Sequence, residues 1–330
     1  EGVMSTLCAG CGHDSVTAAL VQAAWELELE PHRAAKMSGI GCSSKTTAYF
    51  MKQSHGFNSV HGRMPSVTTG AAAANRGLTY IGISGDGDSL SIGLGQMCHA
   101  IRRNVDMLYV IENNGVYGLT KGQFSASADV GSKSKRGEAN EQAPIDPVLL
   151  ALSIGATFVA RSFSGDKRQL VPILKAGLSH KGLALVDVIS PCVTFNDHEG
   201  STKSYKYTRD HEVEAVEADY VPVHLAIELP DAGRADEPGG LHVVSMHDGS
   251  QVHLRGTTPG YDPTDRASAY AHVRACQAKG EVATGLLFVD PSSRGMHEQM
   301  RTVETPLVDL PHEALCPGAA ALDALMKRYR

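Results

Sequence analysis

The chain has 330 residues, of which 42% are hydrophobic and 20% charged, and its formal net charge is −6. This composition is typical of one large globular domain, or of one domain with an extension, and the length allows a sizeable core. No basic tract, membrane-length apolar run or secretory leader stands out, so we expect no nucleic-acid or membrane partner. The seven cysteines are odd in number, which favours a reduced, cytoplasmic protein over a disulfide framework.

Helices and strands are predicted to alternate through most of the chain. The apolar periodicity predicts helices at 15–30, 65–76, 89–103, 146–154 and 166–179, and strands at 34–40, 78–84, 106–112, 156–162 and 183–189. Asp14 or Ser15 is placed to cap the first helix. This alternation implies an α/β fold, with a parallel sheet that carries helices on both faces and binds ligands at the carboxyl ends of its strands.

The C-terminal part of the chain gives a weaker pattern. We assign 1–212 to the main domain and predict that 213–330 form an extension that packs on this domain or on a partner subunit. Within the extension we predict a hairpin around 242–254, a helix at 264–278 and a strand at 282–289.

Four of the predicted strands end on residues that can carry chemistry. The residues that follow them are Cys42, Asp86, Asn114 and Cys192. Because the carboxyl ends of parallel strands meet at one edge of a sheet, we expect these four residues to lie along that edge.

Asp86 and Asn114 are candidate magnesium ligands. Each lies in a motif that alone would be an ordinary turn, but a helix and a strand over 88–112 separate the two. Magnesium prefers oxygen ligands, and an aspartate carboxylate, an asparagine amide and the backbone carbonyl of Val116 supply three. Flanking glycines allow close approach of the backbone, and we expect a helix that begins near Ser89 to direct its first amides at a diphosphate.

This segment resembles the thiamine diphosphate signature of pyruvate decarboxylases, transketolases and 2-oxoacid oxidoreductases. The resemblance implies a thiamine diphosphate-binding fold and a cofactor held through Mg²⁺. In such enzymes the cofactor attacks a carbonyl carbon and stabilises the charge left by decarboxylation.

Four cysteines form a second candidate site. Cys8 and Cys11 lie in the tight CAGCGH turn, and Cys42 and Cys192 follow strands. Four thiolates suit an iron–sulfur cluster or a structural zinc ion, whereas the two at strand ends could also be ordinary buried cysteines. The remaining cysteines are interpreted as structural: Cys98, Cys276 and Cys316.

The succession CAGCGH, GIGCSSKT, HGR, GDGD, NNGVYGLTKGQ and SPC is similar to the β subunit of 2-oxoacid:ferredoxin oxidoreductases over about residues 6–212. The resemblance implies that Cys8, Cys11, Cys42 and Cys192 bind one [4Fe–4S] cluster. It further implies ferredoxin as electron acceptor and coenzyme A as co-substrate. No glutamate stands in a clear position to activate the cofactor, and in the related enzymes the α subunit supplies it, so we expect an αβ unit, assembled as α₂β₂.

Several further residues belong to the predicted pocket. Ser43, Ser44 and Lys45 suit a phosphate or a substrate carboxylate, or else cap a short helix at 46–51. The resemblance places His61 beside the cofactor, and Lys45 and His61 are the candidate catalytic residues. Tyr117 is expected to close over the diphosphate, although it could equally be a core residue. The other candidate cofactor-binding residues are Cys11, Gly12, His13, Cys42, Gly62, Gly85, Gly87, Asp88, Gly118, Leu119 and Thr120.

The stretch 195–211, FNDHEGSTKSYKYTRDH, is similar to the 2-oxoglutarate-specific bacterial members of the family. Lys45 could pair with the second carboxylate of that substrate. We therefore expect a β subunit of 2-oxoglutarate:ferredoxin oxidoreductase, which forms succinyl-CoA and carbon dioxide reversibly. The alternative within the same family is a pyruvate or indolepyruvate enzyme. Two alternatives belong to other classes: a non-redox thiamine decarboxylase with structural zinc, and an electron-transfer subunit with a vestigial cofactor fold.

Overall fold

The computed structural model describes residues 3–134, 137–226 and 240–329. Its helices are α1 (Gly12–Glu26), α2 (Met64–Ala74), α3 (Leu94–Arg103), α4 (Pro147–Ser153), α5 (Lys167–Ser179), α6 (Tyr205–His211), α7 (Arg266–Ala278), α8 (Met296–Met300), α9 (His312–Leu315) and α10 (Ala319–Met326). Its strands are β1 (Ala34–Ser38), β2 (His55–Asn58), β3 (Thr79–Gly85), β4 (Met107–Asn113), β5 (Val116–Tyr117), β6 (Gln123–Phe124), β7 (Phe158–Phe163), β8 (Leu183–Ile189), β9 (Glu212–Glu214), β10 (Val216–Val221), β11 (Leu241–Ser245), β12 (Gln251–Gly256) and β13 (Val282–Val289).

One eight-stranded sheet organises the described part of the chain, in the order β2-β1-β3-β4-β8-β7-β13-β9. All neighbours from β2 to β7 are parallel. Every residue of β4 and β8 is buried, as expected for strands covered on both faces. The predicted α/β fold with a mostly parallel sheet is therefore confirmed.

β13 differs from the other strands of this sheet because it runs antiparallel to its neighbour β7. It lies in the C-terminal part of the chain and pairs on its other side with β9. The predicted strand at 282–289 is found with those bounds, and the predicted hairpin is found as β11 and β12, which β10 extends. The domain division at residue 212 stays a prediction, although β13 ties the C-terminal part to the main sheet.

The first helix begins earlier than predicted. Cys11 is its N-cap, without a side-chain hydrogen bond, and Asp14 lies inside the first turn. The prediction that Asp14 or Ser15 caps this helix is therefore wrong, because the helical turn already starts at Gly12. An aspartate in the first turn still interacts favourably with the helix dipole.

The helix predicted over 89–103 is interrupted. A short π-helical segment spans Gly87–Ile92, and α3 begins only at Leu94. Gly93 separates the two parts, and a β-carbon there would lie 2.8 Å from the backbone oxygens of Asp88 and Gly62. The close approach of these backbones, which only glycine allows, explains the break, so no long helix points its first turn at the site from Ser89.

The described residues contain no helix that is both long and apolar enough to cross a bilayer. At the C-terminal end, residues 311–329, which include α9 and α10, are exposed.

Candidate functional site

The site lies at the carboxyl edge of four adjacent parallel strands. β1, β3, β4 and β8 are neighbours in this order, and Cys42, Asp86, Asn114 and Cys192 follow them in sequence. The order of the strands confirms the prediction that four separate segments meet along one edge of the sheet.

A cavity of about 240 Å³ opens at this edge. Most of its lining was predicted: His13, Cys42, Ser43, His61, Gly85, Asp86, Gly87, Asp88, Asn114, Val116, Tyr117, Gly118, Leu119 and Thr120. The lining residues that sequence reasoning missed are Ile40, Gly41, Ile92 and Glu112. The candidates that lie off this wall are Cys8, Cys11, Gly12, Ser44, Lys45, Gly62 and Cys192.

The two carboxylate oxygens of Asp86 have different surroundings. Oδ2 accepts hydrogen bonds from the Gly115 amide at 3.1 Å and the Ser127 hydroxyl at 2.6 Å, and it also accepts from Ser125. Among the described residues, Oδ1 accepts only from the Asn114 amide, at 3.3 Å. Oδ1 therefore keeps lone-pair capacity, as an ion ligand requires, on a residue that lines the cavity.

Asn114 is fixed from two directions. Its amide oxygen accepts from the Val116 amide at 3.1 Å, and its backbone oxygen accepts from Asn196 at 2.8 Å. With Asp86, it offers the hard oxygen donors that Mg²⁺ prefers. This donor set, in a cavity bordered by glycines, fits a magnesium-bound diphosphate.

Gly87 and Tyr117 fasten the loop that covers this part of the cavity. The Tyr117 hydroxyl donates to the backbone oxygen of Gly87 at 2.9 Å, and a β-carbon at position 87 would come within 2.5 Å of the tyrosine ring. Glycine at this position therefore allows the ring to close over the turn after β3.

Asp88 ties a second loop to the site. Its Oδ1 accepts from the Gly62 amide at 2.7 Å and its Oδ2 from Ser84 at 2.8 Å. Both carboxylate oxygens thus have protein donors, so Asp88 and Gly62 act together to hold the loop that presents His61 to the cavity.

Glu112 forms part of the inner wall with His13. The carboxyl is fully buried and accepts from the Thr46 hydroxyl at 3.0 and 3.1 Å. Burial raises the pKa of Glu112 well above its usual range and lowers the pKa of His13 to about 4. The signal for Glu112 was present in the sequence, since it is an acidic residue that ends an otherwise apolar strand before the asparagine pair.

The four candidate cluster cysteines are free thiols. The Cys11 amide donates to the Cys8 backbone oxygen at 3.0 Å, which forms the expected turn. A β-carbon at Gly118 would lie 3.5 Å from the sulfur of Cys192 and 3.6 Å from that of Cys42, so these sulfurs flank the same glycine. The segment after Cys192 also contacts the turn of Cys8 and Cys11, because the Thr194 hydroxyl lies 3.6 Å from the Cys8 sulfur.

Burial raises the pKa of Cys11 to about 12 and also raises the pKa of Cys42. Thiols in such surroundings become thiolates on binding a metal centre, which releases their protons. Within the described ranges no three His, Cys, Asp or Glu side chains are grouped around a single ion position. A four-iron cluster takes one thiolate at each iron. The sulfurs of Cys42 and Cys192 beside Gly118, with those of Cys8 and Cys11 in the turn before α1, supply the four thiols of that donor set.

Lys45 and Ser44 lie in the short 3₁₀ helix Cys42–Ala48. Gly41 is its N-cap and no side chain caps it, so the alternative that these serines cap a helix at 46–51 is wrong. Ser44 instead donates to the Gly41 backbone oxygen at 2.8 Å. Lys45 is close enough to Cys42 for its charge to oppose the effect of burial on the pKa of that thiol.

The sequence and the fold are similar to those of known proteins. Residues 39–188 match the family described as thiamine pyrophosphate enzyme, C-terminal TPP binding domain. The 2-oxoacid:ferredoxin oxidoreductase subunit beta of Saccharolobus solfataricus is 44% identical over 199 residues, 60% of this chain and 65% of that protein. The 2-oxoglutarate synthase subunit KorB of Methanocaldococcus jannaschii is 34% identical over 189 residues, 57% of this chain and 69% of that protein.

A solved structure is similar over most of the chain. It is a 2-oxoglutarate:ferredoxin oxidoreductase from Magnetococcus marinus with 2-oxoglutarate, coenzyme A and succinyl-CoA bound, and it matches with a TM-score of 0.72 and 29% identity over 91% of this chain and 86% of that one. The chain spans 65% of the relative from S. solfataricus and 51% of the KorB subunit of Mycobacterium tuberculosis. It thus covers between about half and two thirds of the length of these relatives.

Proposed function

This chain belongs to the family of β subunits of 2-oxoacid:ferredoxin oxidoreductases, and we propose that it binds thiamine diphosphate and Mg²⁺ beside Asp86 for the oxidative decarboxylation of 2-oxoglutarate. The observation that carries this proposal is the position of Asp86 and Asn114 at the ends of adjacent parallel strands, facing one cavity. Thiamine diphosphate, when bound, supplies a nucleophilic carbon for the 2-oxo group and accepts the electron pair left by carbon dioxide.

The protein residues around the cavity would bind the ion and the diphosphate and orient the substrate. Asp86, Asn114 and the backbone oxygen of Val116 would hold the ion. Tyr117, anchored on Gly87, closes the turn that receives the diphosphate, and Gly118, Leu119 and Thr120 continue that wall. His61 lines the cavity on a loop fixed by Asp88, where it can orient a substrate group.

The cysteines beside this cavity would hold a [4Fe–4S] cluster for electron transfer to ferredoxin. Cys42 lines the cavity itself, and its sulfur and that of Cys192 flank Gly118 on the same wall. Cys8 and Cys11 complete the donor set from the turn before α1. Such a cluster would supply one-electron chemistry next to the decarboxylation site, which a structural zinc ion would not provide.

2-Oxoglutarate is the proposed substrate, with coenzyme A as the acceptor of the succinyl group. Support comes from the names of relatives, which include 2-oxoglutarate synthase subunits, and from the solved neighbour that holds 2-oxoglutarate and coenzyme A. Lys45, beside Cys42, is the proposed counter-charge for the second carboxylate.

The cavity would be completed by an α subunit in an αβ unit that assembles as α₂β₂ in the cytoplasm. Glu112 lines the cavity, but it is fully buried and accepts from the Thr46 hydroxyl. The activating glutamate would come from the partner, as the resemblance to the related oxidoreductases implies. Residues 213–330 would form the extension that packs on the main domain.

The substrate is tested by anaerobic assay of the native complex with a viologen dye as electron acceptor. We expect dye reduction to require coenzyme A and to be fastest with 2-oxoglutarate, compared with pyruvate and indolepyruvate at equal concentrations. A strong preference for pyruvate would contradict the substrate assignment while leaving the family intact.

The cluster is tested on the same anaerobic preparation. We expect a brown protein that contains iron and acid-labile sulfide and shows an EPR signal after reduction. A colourless protein that contains zinc, and that releases carbon dioxide without reducing the dye, would instead establish the non-redox decarboxylase.

A further inference from the structure

We propose that a buried chain of polar side chains, Asp86–Ser127–Asn113–Asp187–Arg161, positions the Asp86 carboxylate for the metal ion and is completed by helix α7 of the C-terminal part. We call it the Asp86–Arg161 chain. The inference rests on the proposed function, because it concerns the same metal site. It assigns a role to side chains that the sequence did not single out.

The chain begins at the oxygen of Asp86 that faces the protein. Oδ2 lies 2.6 Å from the Ser127 hydroxyl and 3.1 Å from the Gly115 amide, and it contacts Ser125. These donors hold Oδ2, while Oδ1 accepts from the Asn114 amide at 3.3 Å and keeps lone-pair capacity for an ion. Removal of a donor would free the carboxylate to rotate, so its orientation depends on the hydroxyls behind it.

Ser127 connects Asp86 to the neighbouring strand. Its hydroxyl also lies 2.9 Å from the amide oxygen of Asn113, and its single hydrogen can go to either acceptor. The amide nitrogen of Asn113 donates to Asp187 Oδ1 at 3.0 Å. Since Asn113 directly precedes the second proposed magnesium ligand, the same residue fixes both the end of β4 and the hydroxyl behind Asp86.

Asp187 is in turn paired with Arg161. The guanidinium Nε donates to Asp187 Oδ2 at 2.8 Å, and a terminal nitrogen donates to Asp146 at 2.7 Å. Asp187 and Arg161 lie on β8 and β7, and both are buried. Burial raises the pKa of Asp187, and the Arg161 guanidinium opposes that shift. A buried carboxylate that loses one of its partners is costly, so Arg161 stabilises the orientation in which Asp187 accepts from Asn113.

The C-terminal part reaches this chain through α7. Gln277 donates to the second oxygen of Asp146 at 2.6 Å, while the first oxygen caps α4 through the amides of Val148 and Leu149. Asp146 is thereby fixed in the orientation that meets Arg161. Helix α7, in the C-terminal part, thus supports the Arg161 end of the Asp86–Arg161 chain, whose other end is the proposed metal ligand Asp86.

The surroundings show why hydrogen bonds, and not packing alone, must hold these side chains. A second cavity of about 550 Å³ is lined by Asn113, Ser127, Asp187, Arg161 and Gln277 among others. One side of the Asp86–Arg161 chain therefore borders this cavity and, among the described residues, has no packed side chains against it. Side chains that hold metal ligands in place usually contribute about 10- to 100-fold to metal affinity.

The experiment measures binding of Mn²⁺, as an EPR-visible substitute for Mg²⁺, to the native complex freed of Mg²⁺ but not of its cluster, and supplied with thiamine diphosphate. We expect Ser127→Ala and Asp187→Asn each to weaken Mn²⁺ binding about 10-fold or more, and Gln277→Ala to weaken it less. Ser179→Ala, which removes a buried hydroxyl that contacts Tyr220, and Gln299→Ala, which removes an exposed amide of α8, should leave the affinity unchanged.

Thermal unfolding of the Mg²⁺-free complex separates positioning from a structural role. We expect the unfolding temperature of Ser127→Ala without Mg²⁺ to be close to that of the wild type, while this variant binds Mn²⁺ more weakly. If Asp187→Asn does not fold, Ser127→Ala decides alone. If Ser127→Ala binds Mn²⁺ with wild-type affinity, the proposed role of the Asp86–Arg161 chain is overturned while the proposed function stands. If the wild-type protein binds no Mn²⁺, both proposals are overturned.

Discussion

Glu112 and His13 face each other at the inner wall of the cavity, with Oε2 of the carboxyl 3.8 Å from Nδ1 of the imidazole and both side chains closed to solvent. Burial raises the pKa of Glu112 and lowers the pKa of His13. Each shift favours the uncharged form at neutral pH. Burial thus opposes a charge on both side chains of the inner wall behind the proposed metal ligands.

Glu112→Gln should retain cofactor binding. Glutamine keeps the size of the side chain and the hydrogen bond from Thr46, and it replaces a carboxyl whose pKa burial raises. We expect thiamine diphosphate affinity and dye-reduction rate within a few-fold of wild type, measured by calorimetry and anaerobic assay. A loss of about 100-fold or more would instead show that this carboxyl acts in its charged form and that the activating acid lies within this chain.

Gly12→Ala should disturb the cysteine cluster. The added β-carbon would lie 2.7 Å from the backbone carbon of Ser190 and 2.8 Å from the nitrogen of Pro191, which separates the turn of Cys11 from the segment of Cys192. Overpacking of this kind costs about 1–3 kcal/mol. We expect lower iron and sulfide content after anaerobic isolation. Gly70→Ala on α2, where a β-carbon meets open space, is the matched control and should keep full iron content.

Gly87→Ala should weaken cofactor binding without affecting the cysteines. The β-carbon would displace the Tyr117 ring, which lies 2.5 Å from its position, and the hydrogen bond between the tyrosine and the backbone at position 87 would be lost. We expect weaker thiamine diphosphate binding and unchanged iron content. Gly95→Ala on α3 has open space and should bind normally; equal affinities of the two variants would contradict the proposed closing role of Tyr117.

His180 predicts a pH dependence of stability far from the site. Its ring is packed on Phe158, and burial, followed by the neighbouring His247, lowers its pKa from 6.5 to about 3. The unfolded chain therefore takes up a proton that the folded chain excludes, so stability is lost as pH falls from 6.5 towards 3, at up to ~1.4 kcal/mol per pH unit.

Urea unfolding from neutral pH to about pH 5 checks this expectation. His180→Gln lacks the titrating group, so its free energy of unfolding should fall less steeply with acid than that of the wild type. Parallel pH profiles of the two proteins would show that the ring is accessible to protons in the folded state.

The sequence predicts the edge that carries the site because each of its strands is a buried apolar run followed by a chemically distinct residue. Asp86 and Asn114 could be found in this way, since parallel strands have a common carboxyl edge. Strand direction is not encoded in periodicity, so the antiparallel pairing of β13 could not be found. β2 was missed because its four residues are exposed and carry no apolar alternation.

Features that depend on close contacts between distant segments could not be read from the pattern. Gly93 interrupts the helix after Asp86 because it packs against Gly62, a contact that local periodicity does not contain. Asp187 and Arg161 were each visible as a charged residue in an apolar strand, but their pairing joins two separate strands and is not contained in local periodicity. Glu112 was visible as an acid in an apolar strand, but only the cavity shows where it faces.

The central claim is that Asp86 holds the metal ion through which this chain binds thiamine diphosphate. Its most direct test is calorimetric titration of the native complex, freed of Mg²⁺ with its cluster retained, with thiamine diphosphate in the presence and absence of Mg²⁺, for the wild type and Asp86→Ala. We predict Mg²⁺-dependent binding by the wild type and near-total loss of it in the variant, with iron content unchanged. Binding that is independent of Mg²⁺, or unimpaired in Asp86→Ala, would contradict the account.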